Sequence, residues 1–473
     1  MSGYMKYSTG TSELDSLIGE ALYPGTTIAV VGHPGAGKTT FASQFCHANA
    51  LLGHKCLYIS FQEEKEKLYR NMKRLGIDLE ELEKKGLFKH VRLPMMVVVD
   101  EVIREISNLI AQAGFDAVVV DSVNALLEPL KSREDQRMVL QNYFYELSRT
   151  FKGVLVLLAE IPMGEERINL GAIEFIADII IILKHRVTYG LLTRILEVRK
   201  ARGAPLKVVE IPFNIIEGFG VRVYPPPRFE KIALGNGKPL SSKLSLTKTV
   251  FKTLLKGENV FITYSPMARS GLPVLLLLDF LVSNNAKALL ISYTYSRDEV
   301  VDAVVEKVVR YGGIPRYDAQ RLLTKYLRVE SINPVGEAII ALHTSSVQMV
   351  EQLNPDIVIY HGVEVFSKVA DPREYWSSLI NELAWYKNKG VTVFRFGSCT
   401  PKDWCQMNAA VSDAVVRVNY EYREGRVTPV IYSWRRAHSP SYIELTDPVR
   451  SNLMKEFQEL VKPVLADSTE SLE

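Results

Sequence analysis

The chain has 473 residues and a net charge of +3, with 47% hydrophobic and 23% charged residues. That is enough for two or three ordinary domains with sizeable cores, whereas so small a charge, without a long Lys/Arg stripe interleaved with aromatics, argues against nucleic acid as an electrostatically held partner. No N-terminal leader is expected and the longest apolar stretch, around residues 274–282, is too short to span a bilayer, so no membrane role and a cytoplasmic location are expected.

In chain order, the first informative element is an apolar strand at residues 28–31 leading into Gly32, His33, Pro34, Gly35, Ala36, Gly37, Lys38, Thr39 and Thr40. This run fits G-x-x-x-x-G-K-[ST], and a helix with Phe41, Phe45, Ala48 and Leu52 on one face is expected to follow it. A triphosphate needs several backbone N–H donors converging on its oxygens; glycines let the chain curl closely, and a helix N-terminus offers unpaired amides. Lys38 is then placed to reach the β- and γ-phosphates of ATP and Thr39 to hold Mg²⁺. A second apolar strand, 117–120, ends in Asp121. A carboxylate there sits on the rim where open α/β sheets bind ligands and suits the acid that orients the Mg²⁺ water shell.

Residues 225–243, with Pro225, Pro226 and Pro227 and polar Gly/Ser content, read as a linker. Beyond it the first half recurs. VFITYSPMARSG overlays TIAVVGHPGAGK at an offset of 232, and ALLISYTYSRDEVV overlays KCLYISFQEEKEKL at the same offset. PDIVIYHGVEVFSKV overlays FDAVVVDSVNALLEP at an offset of 240, and NELAWYKNKGVTVFRFG overlays YELSRTFKGVLVLLAEI. In this second copy Lys38 becomes Ser270, Gly35 and Gly37 become Met267 and Arg269, and Asp121 becomes His361, so the phosphate cradle and the metal acid are both lost. The expected division is an active domain at 1–224, the linker at 225–243, a degenerate domain at 244–464 and a flexible tail at 465–473. Cys46, Cys56, Cys399 and Cys405 show neither C-x-x-C spacing nor paired histidines, and are expected as buried free thiols; Cys399 and Cys405 could form a redox pair, but nothing visible activates them.

Taken together, TGTSELDSLIG at residues 9–19, the glycine loop, ISFQEEKEKLYRNMKRLGIDLEELEKKG, the Asp-Ser strand end and ADIIIILKHRVTYGLLTRILEVRKARG resemble the KaiC-like branch of the RecA/RadA ATPases over nearly the whole chain. The resemblance extends to archaeal members with varied domain counts, and an archaeal chain is expected. It implies an α/β fold of two tandem RecA-like domains, each a mostly parallel sheet flanked by helices; the lost second site, which makes that domain a pseudo-ATPase, is a departure from the resemblance. It also implies ATP and Mg²⁺ as cofactors and a homo-oligomer, a hexameric ring, that signals nucleotide state to proteins such as kinases or phosphatases. The family has Phe-Glu-Glu after the second strand, one acid acting on the attacking water. Here the run is Phe61, Gln62, Glu63, Glu64. An amide orients water but accepts no proton from it, so hydrolysis is slow if Gln62 holds the catalytic place and survives if Glu63 serves. By the same resemblance Lys200 and Arg202 reach the γ-phosphate bound by a neighbouring subunit. One residue apart on a strand, they point to one face. Self-phosphorylating members carry a Ser-Thr pair whose places here fall on Glu174 and Phe175, or on Ala409 and Ala410 in the second copy, so no autokinase activity is expected. Two other readings remain: a DNA-repair accessory like the RadA paralogues, and a scaffold that holds ATP without turnover.

Overall fold

The computed structural model describes residues 6–94, 99–130, 132–161, 173–188, 191–206, 210–225, 237–265, 271–336, 339–423 and 425–466. The chain splits into two compact units, Met1–Pro225 and Pro226–Glu473.

The first unit is built on a nine-stranded sheet: β1 (Thr27–Gly32), β2 (Cys56–Ser60), β3 (Phe88–Arg92), β4 (Ala117–Asp121), β5 (Val154–Glu160), β6 (Ile179–Thr188), β7 (Leu191–Ala201), β8 (Glu210–Ile216) and β9 (Gly220–Val223). Its order is β3-β2-β4-β5-β1-β6-β7-β8-β9, parallel from β3 to β6 and antiparallel from there to β9. Every residue of β1 is buried because strands flank it on both sides and helices cover both faces, which is why such strands read as unbroken apolar runs. Its side chains alternate between two cores: Ile28 and Val30 pack on one face of the sheet, Ala29 and Val31 on the other.

The helix after β1, Lys38–Leu51, departs from the expected one-sided pattern. Ala42, Ser43, Gln44, Cys46 and Asn49 are buried along with Phe41 and Phe45, whereas Ala48 is half-buried and Leu52 lies exposed past the helix end. The polar members of the buried face explain the difference. Gln44 donates to the carbonyls of Gly10 and Val221 and accepts from the Val221 amide, and Asn49 exchanges hydrogen bonds with the Ser8 backbone. Asp15 in turn accepts from the Thr9 amide and hydroxyl, both at 2.6 Å. The T-G-x-x-x-L-D entry segment is thus a clip that fastens the N-terminal chain to the helix of the glycine loop.

The second unit repeats this plan with β10 (Asn259–Tyr264), β11 (Ala288–Ser292), β12 (Leu327–Ser331), β13 (Ile357–His361), β14 (Thr392–Ser398), β15 (Ala414–Arg423), β16 (Arg426–Arg435) and β17 (Ser441–Glu444). Its order, β12-β11-β13-β14-β10-β15-β16-β17, is that of the first sheet shifted by nine strands, without a counterpart of β9. The fold is therefore two tandem RecA-like α/β domains. β10 and β11 stand 232 residues after β1 and β2, and β13 stands 240 after β4, as the overlays anticipate; β14 stands 238 after β5, two residues off the ungapped overlay. Even the strand-end hydrogen bonds recur: the Thr27 amide donates to Asp178 and the Asn259 amide to Asp413, both at 3.0 Å.

Of the expected linker, residues 226–236 lie outside the described residues, as do Met267, Arg269, Ser270 and the tail from 467. Residues 237–244 pack on the second unit: Pro239 bridges to Leu255, Leu240 and Leu244 are buried, and the amides of Lys243 and Leu244 donate to the Asp279 carboxylate.

Candidate nucleotide site

Gly32 ends β1 at the C-terminal edge of the sheet, level with Leu183 of β6 and Glu160 of β5. A Cβ on Gly32 would stand 2.4 Å from the Leu183 carbonyl oxygen, so backbone against backbone admits only glycine. Gly37 has φ +104°, a conformation L side chains rarely adopt, and it caps the helix that starts at Lys38. Between them the loop exposes Pro34 and Gly35, half-buries His33 and buries Ala36. The His33 ring Nδ1 lies 3.2 Å from the Ile161 carbonyl, which ties the loop to the end of β5. The first turn of Lys38–Leu51, which follows the loop directly, has amides without intrahelical partners, as every helix N-terminus does.

Lys38 is 7% exposed, and its Nζ donates to the carbonyls of Gly32 (2.9 Å) and His33 (3.1 Å). Burial pulls its pKa below the usual lysine value, opposed by the charges of Glu160 and Asp121. Thr39 is half-buried and its hydroxyl donates to Asp121 Oδ2 at 3.1 Å; Tyr58 donates to the same oxygen at 2.6 Å. Burial raises the Asp121 pKa, and the bonds from Tyr58 and Thr39 counter it. Thr40, on the next helical position, is buried. Lys38, Thr39 and Asp121 thus form one cluster at the sheet edge. The hard oxygens of Thr39 and Asp121 suit Mg²⁺, the glycine cradle and Lys38 suit a polyphosphate, and the site fits Mg²⁺-ATP.

Two members of the cluster escaped the sequence reading. Glu160 closes β5, 3.8 Å from Lys38 Nζ, with its amide donating to Asn124 Oδ1; the signal was the acid ending VLVLLAE, as Asp121 ends its own strand. Tyr58 sits wholly buried within β2, and nothing in its spacing marks it.

Gln62 and Glu63 follow β2 but form no hydrogen bond to Lys38, Thr39 or Asp121 among the described contacts. Gln62 is exposed, and the Glu63 carboxylate pairs with Lys67 at 3.3 Å. Both amides point at the Ser60 hydroxyl, which fixes the turn.

Lys200 and Arg202 lie at the opposite edge. β7 stops at Ala201, so Arg202 stands in the following turn rather than on the strand, yet both side chains do reach one segment. Lys200 Nζ donates to the carbonyls of Glu174 and Ala177, and Arg202 to Asp178 and the Phe175 carbonyl. The Arg202 amide bonds Asp178, which bonds Thr27, placing the pair level with the start of β1. Five residues of strand, about 16 Å, separate that level from Gly32. A phosphate on this chain's own loop is out of their reach.

In the second unit His361 takes the strand-end place of Asp121, 3.3 Å from the Ser292 hydroxyl and stacked on Tyr295. Leu290 replaces Tyr58, and beside it opens an apolar cavity of about 380 Å³ walled by Val304, Ile359 and Phe396. The cysteine expectation needs correction. Cys46 and Cys56 are buried free thiols, but Cys399 and Cys405 form a disulfide, because the turn after β14 brings their Cα atoms to 4.8 Å.

A RecA-type sheet with this loop, lysine and strand-end acid defines a P-loop ATPase domain. Residues 7–228 match the family described as "ATPase: KaiC", and the N-terminal unit belongs to it. The chain is 27% identical over 204 residues to the circadian clock oscillator protein KaiC of Parathermosynechococcus lividus, a match covering 43% of this chain and 38% of that one. It is 29% identical over 206 residues to the circadian clock protein KaiC3 of Synechocystis sp., covering 43% and 40%. The chain matches about two fifths of the length of these relatives. Among the described residues no helix is long and apolar enough to cross a membrane.

Proposed function

We propose that this protein is a nucleotide-dependent switch. It binds one Mg²⁺-ATP in the N-terminal unit and hydrolyses it slowly. It assembles through that nucleotide into a homo-oligomeric, six-membered ring, and uses its second unit to dock signalling proteins in the cytoplasm. The observation that carries the reading is the cluster of Lys38, Thr39, Asp121 and Tyr58, set against His361 and Leu290 at the matching places of the second sheet. Lys38 exchanges its two loop carbonyls for phosphate oxygens, which repays its burial. Thr39 and Asp121, hydrogen-bonded to each other here, would hold Mg²⁺, which would supply charge neutralisation at the phosphates. Slow turnover is supported by Gln62, an amide, and by Glu63, whose carboxylate is engaged by Lys67.

The ring is supported by the distance of Lys200 and Arg202 from their own loop: a finger role for them needs a neighbour's nucleotide. ATP and ADP states would then differ in assembly free energy, the property a switch requires. The clock-protein names of the relatives favour a regulatory over a metabolic role. Size-exclusion chromatography with light scattering in ATP, ADP and no nucleotide, alongside phosphate release, tests this. A ring favoured by ATP with slow release is expected, and an oligomeric state indifferent to nucleotide would overturn the switch.

A further inference from the structure

The Cys399–Cys405 bridge lies just past the C-terminal end of β14, on the wall of a cavity of about 350 Å³. Three observations set it apart from a structural staple. It closes a loop of only six positions, where cross-linking restricts the unfolded chain least. Arg417 Nη2 stands 3.0 Å from Cys399 Sγ, a cation against the sulfur that would carry charge if the bridge opened. Both cysteines line the cavity, and among the described lining residues the charged ones are Arg417 and the exposed Lys402, with no carboxylate. Cys405 is only 4% exposed and Cys399 half-buried, so the cavity is the approach to the bridge.

We propose that Cys399–Cys405 is a thiol–disulfide exchange site whose substrate is a small, negatively charged thiol. The positive lining draws the anion in, and Trp434 and Val415 supply apolar wall. The incoming thiolate attacks Cys405 Sγ. A sulfur–sulfur bond forms there, the Cys405–Cys399 bond breaks, and its electron pair leaves with Cys399 as a thiolate paired to Arg417, the better leaving group of the two. A second thiolate then attacks the mixed disulfide on its small-molecule sulfur, releasing the oxidised small disulfide and Cys405, which takes a proton from water. Two small thiols are oxidised and one protein disulfide is reduced.

The test uses the full oxidised chain with glutathione and with cysteamine at equal thiolate concentration, quenched by alkylation and read by intact mass and peptide mapping. The bridge is expected to open about tenfold faster with anionic glutathione than with cationic cysteamine, with the transient adduct on Cys405. Arg417→Gln should slow both thiols about tenfold, while Lys402→Gln, at the exposed rim, should narrow the gap between them even if the Arg417 variant fails to fold. A bridge that resists millimolar glutathione in native buffer, equal rates with the two thiols, or an adduct on Cys399 would overturn the proposal.

Discussion

At Lys38 two demands meet: the ammonium must be dehydrated to stand under a phosphate, and it must be held charged until the phosphate arrives. The Gly32 and His33 carbonyls and the nearby Glu160 meet the second demand. Hydrogen bonds to charged groups contribute about 1.5–3 kcal/mol each, so Lys38→Ala should weaken ATP binding by about a hundredfold in isothermal titration. Asp121 makes an opposed pair of pH predictions. Its raised pKa means the folded state holds that proton more tightly than the unfolded state. The nucleotide-free protein should therefore lose stability as pH rises from the ordinary carboxylate value of 3.8 through the raised one. Mg²⁺-nucleotide binding should strengthen over the same window, because only the carboxylate serves the metal. Melting curves against pH, with Asp121→Asn lacking this component, check the first; titrations at the same pH values check the second. The acid after β2 is settled by exchange: Gln62→Glu should raise phosphate release if that place is catalytic, and Glu63→Gln should remove it if Glu63 is the base. Indifference to both changes would show that neither acts on water. The glycine loop was legible because it needs fixed residue types at a fixed spacing, and Asp121 because it ends an apolar strand downstream of that loop. Tyr58 and Glu160 were not, since their roles come from strands that adjoin only in the folded sheet.

Among elements, β7 and β14 carry the sharpest consequences. The β7 end places Lys200 and Arg202 at the edge opposite the loop, so their action is testable by mixing subunits. Lys38→Ala chains lack a site but keep the pair; Lys200→Ala/Arg202→Ala chains keep the site but lack the pair. Each alone should be inactive, and an equal mixture should recover about a quarter of wild-type hydrolysis if neighbours in a ring assort at random. No recovery on mixing would refute action between subunits. β14 carries Arg395 where β5 has Leu157, and the guanidinium is buried against Asn259, Asn408 and Ser412. Each buried polar partner left unsatisfied costs about 1–3 kcal/mol, so Arg395→Ala should shift the urea unfolding of the second unit while leaving ATP binding in the first unchanged. Nothing inside VTVFRFG marks its arginine as a core residue; the side chains brought to it by Asn259 and by the helix Lys402–Ala410 make it one. The same network engages Ser412, whose hydroxyl donates to the Asn408 carbonyl and accepts from Arg395, leaving it a poor phosphate acceptor.

For the molecule as a whole, the duplication was legible because parallel strands buried on both faces keep their apolar runs when the loops between them diverge. The offsets of 232 and 240 fall on paired strands for that reason. What the rhythm could not carry was the Cys399–Cys405 bridge, set by a turn after β14 and by no recognisable spacing. The asymmetry between the two sheets is the centre of the account: one keeps a polar, phosphate-shaped edge, and the other has His361, Leu290 and an apolar cavity at the matching places. Isothermal titration of Mg²⁺-ATP into the full chain tests it most directly. The account predicts one site per chain, weakened about a hundredfold in Lys38→Ala and unchanged in Ser270→Ala; two tight sites per chain, or an affinity that Lys38→Ala leaves unchanged, would contradict it.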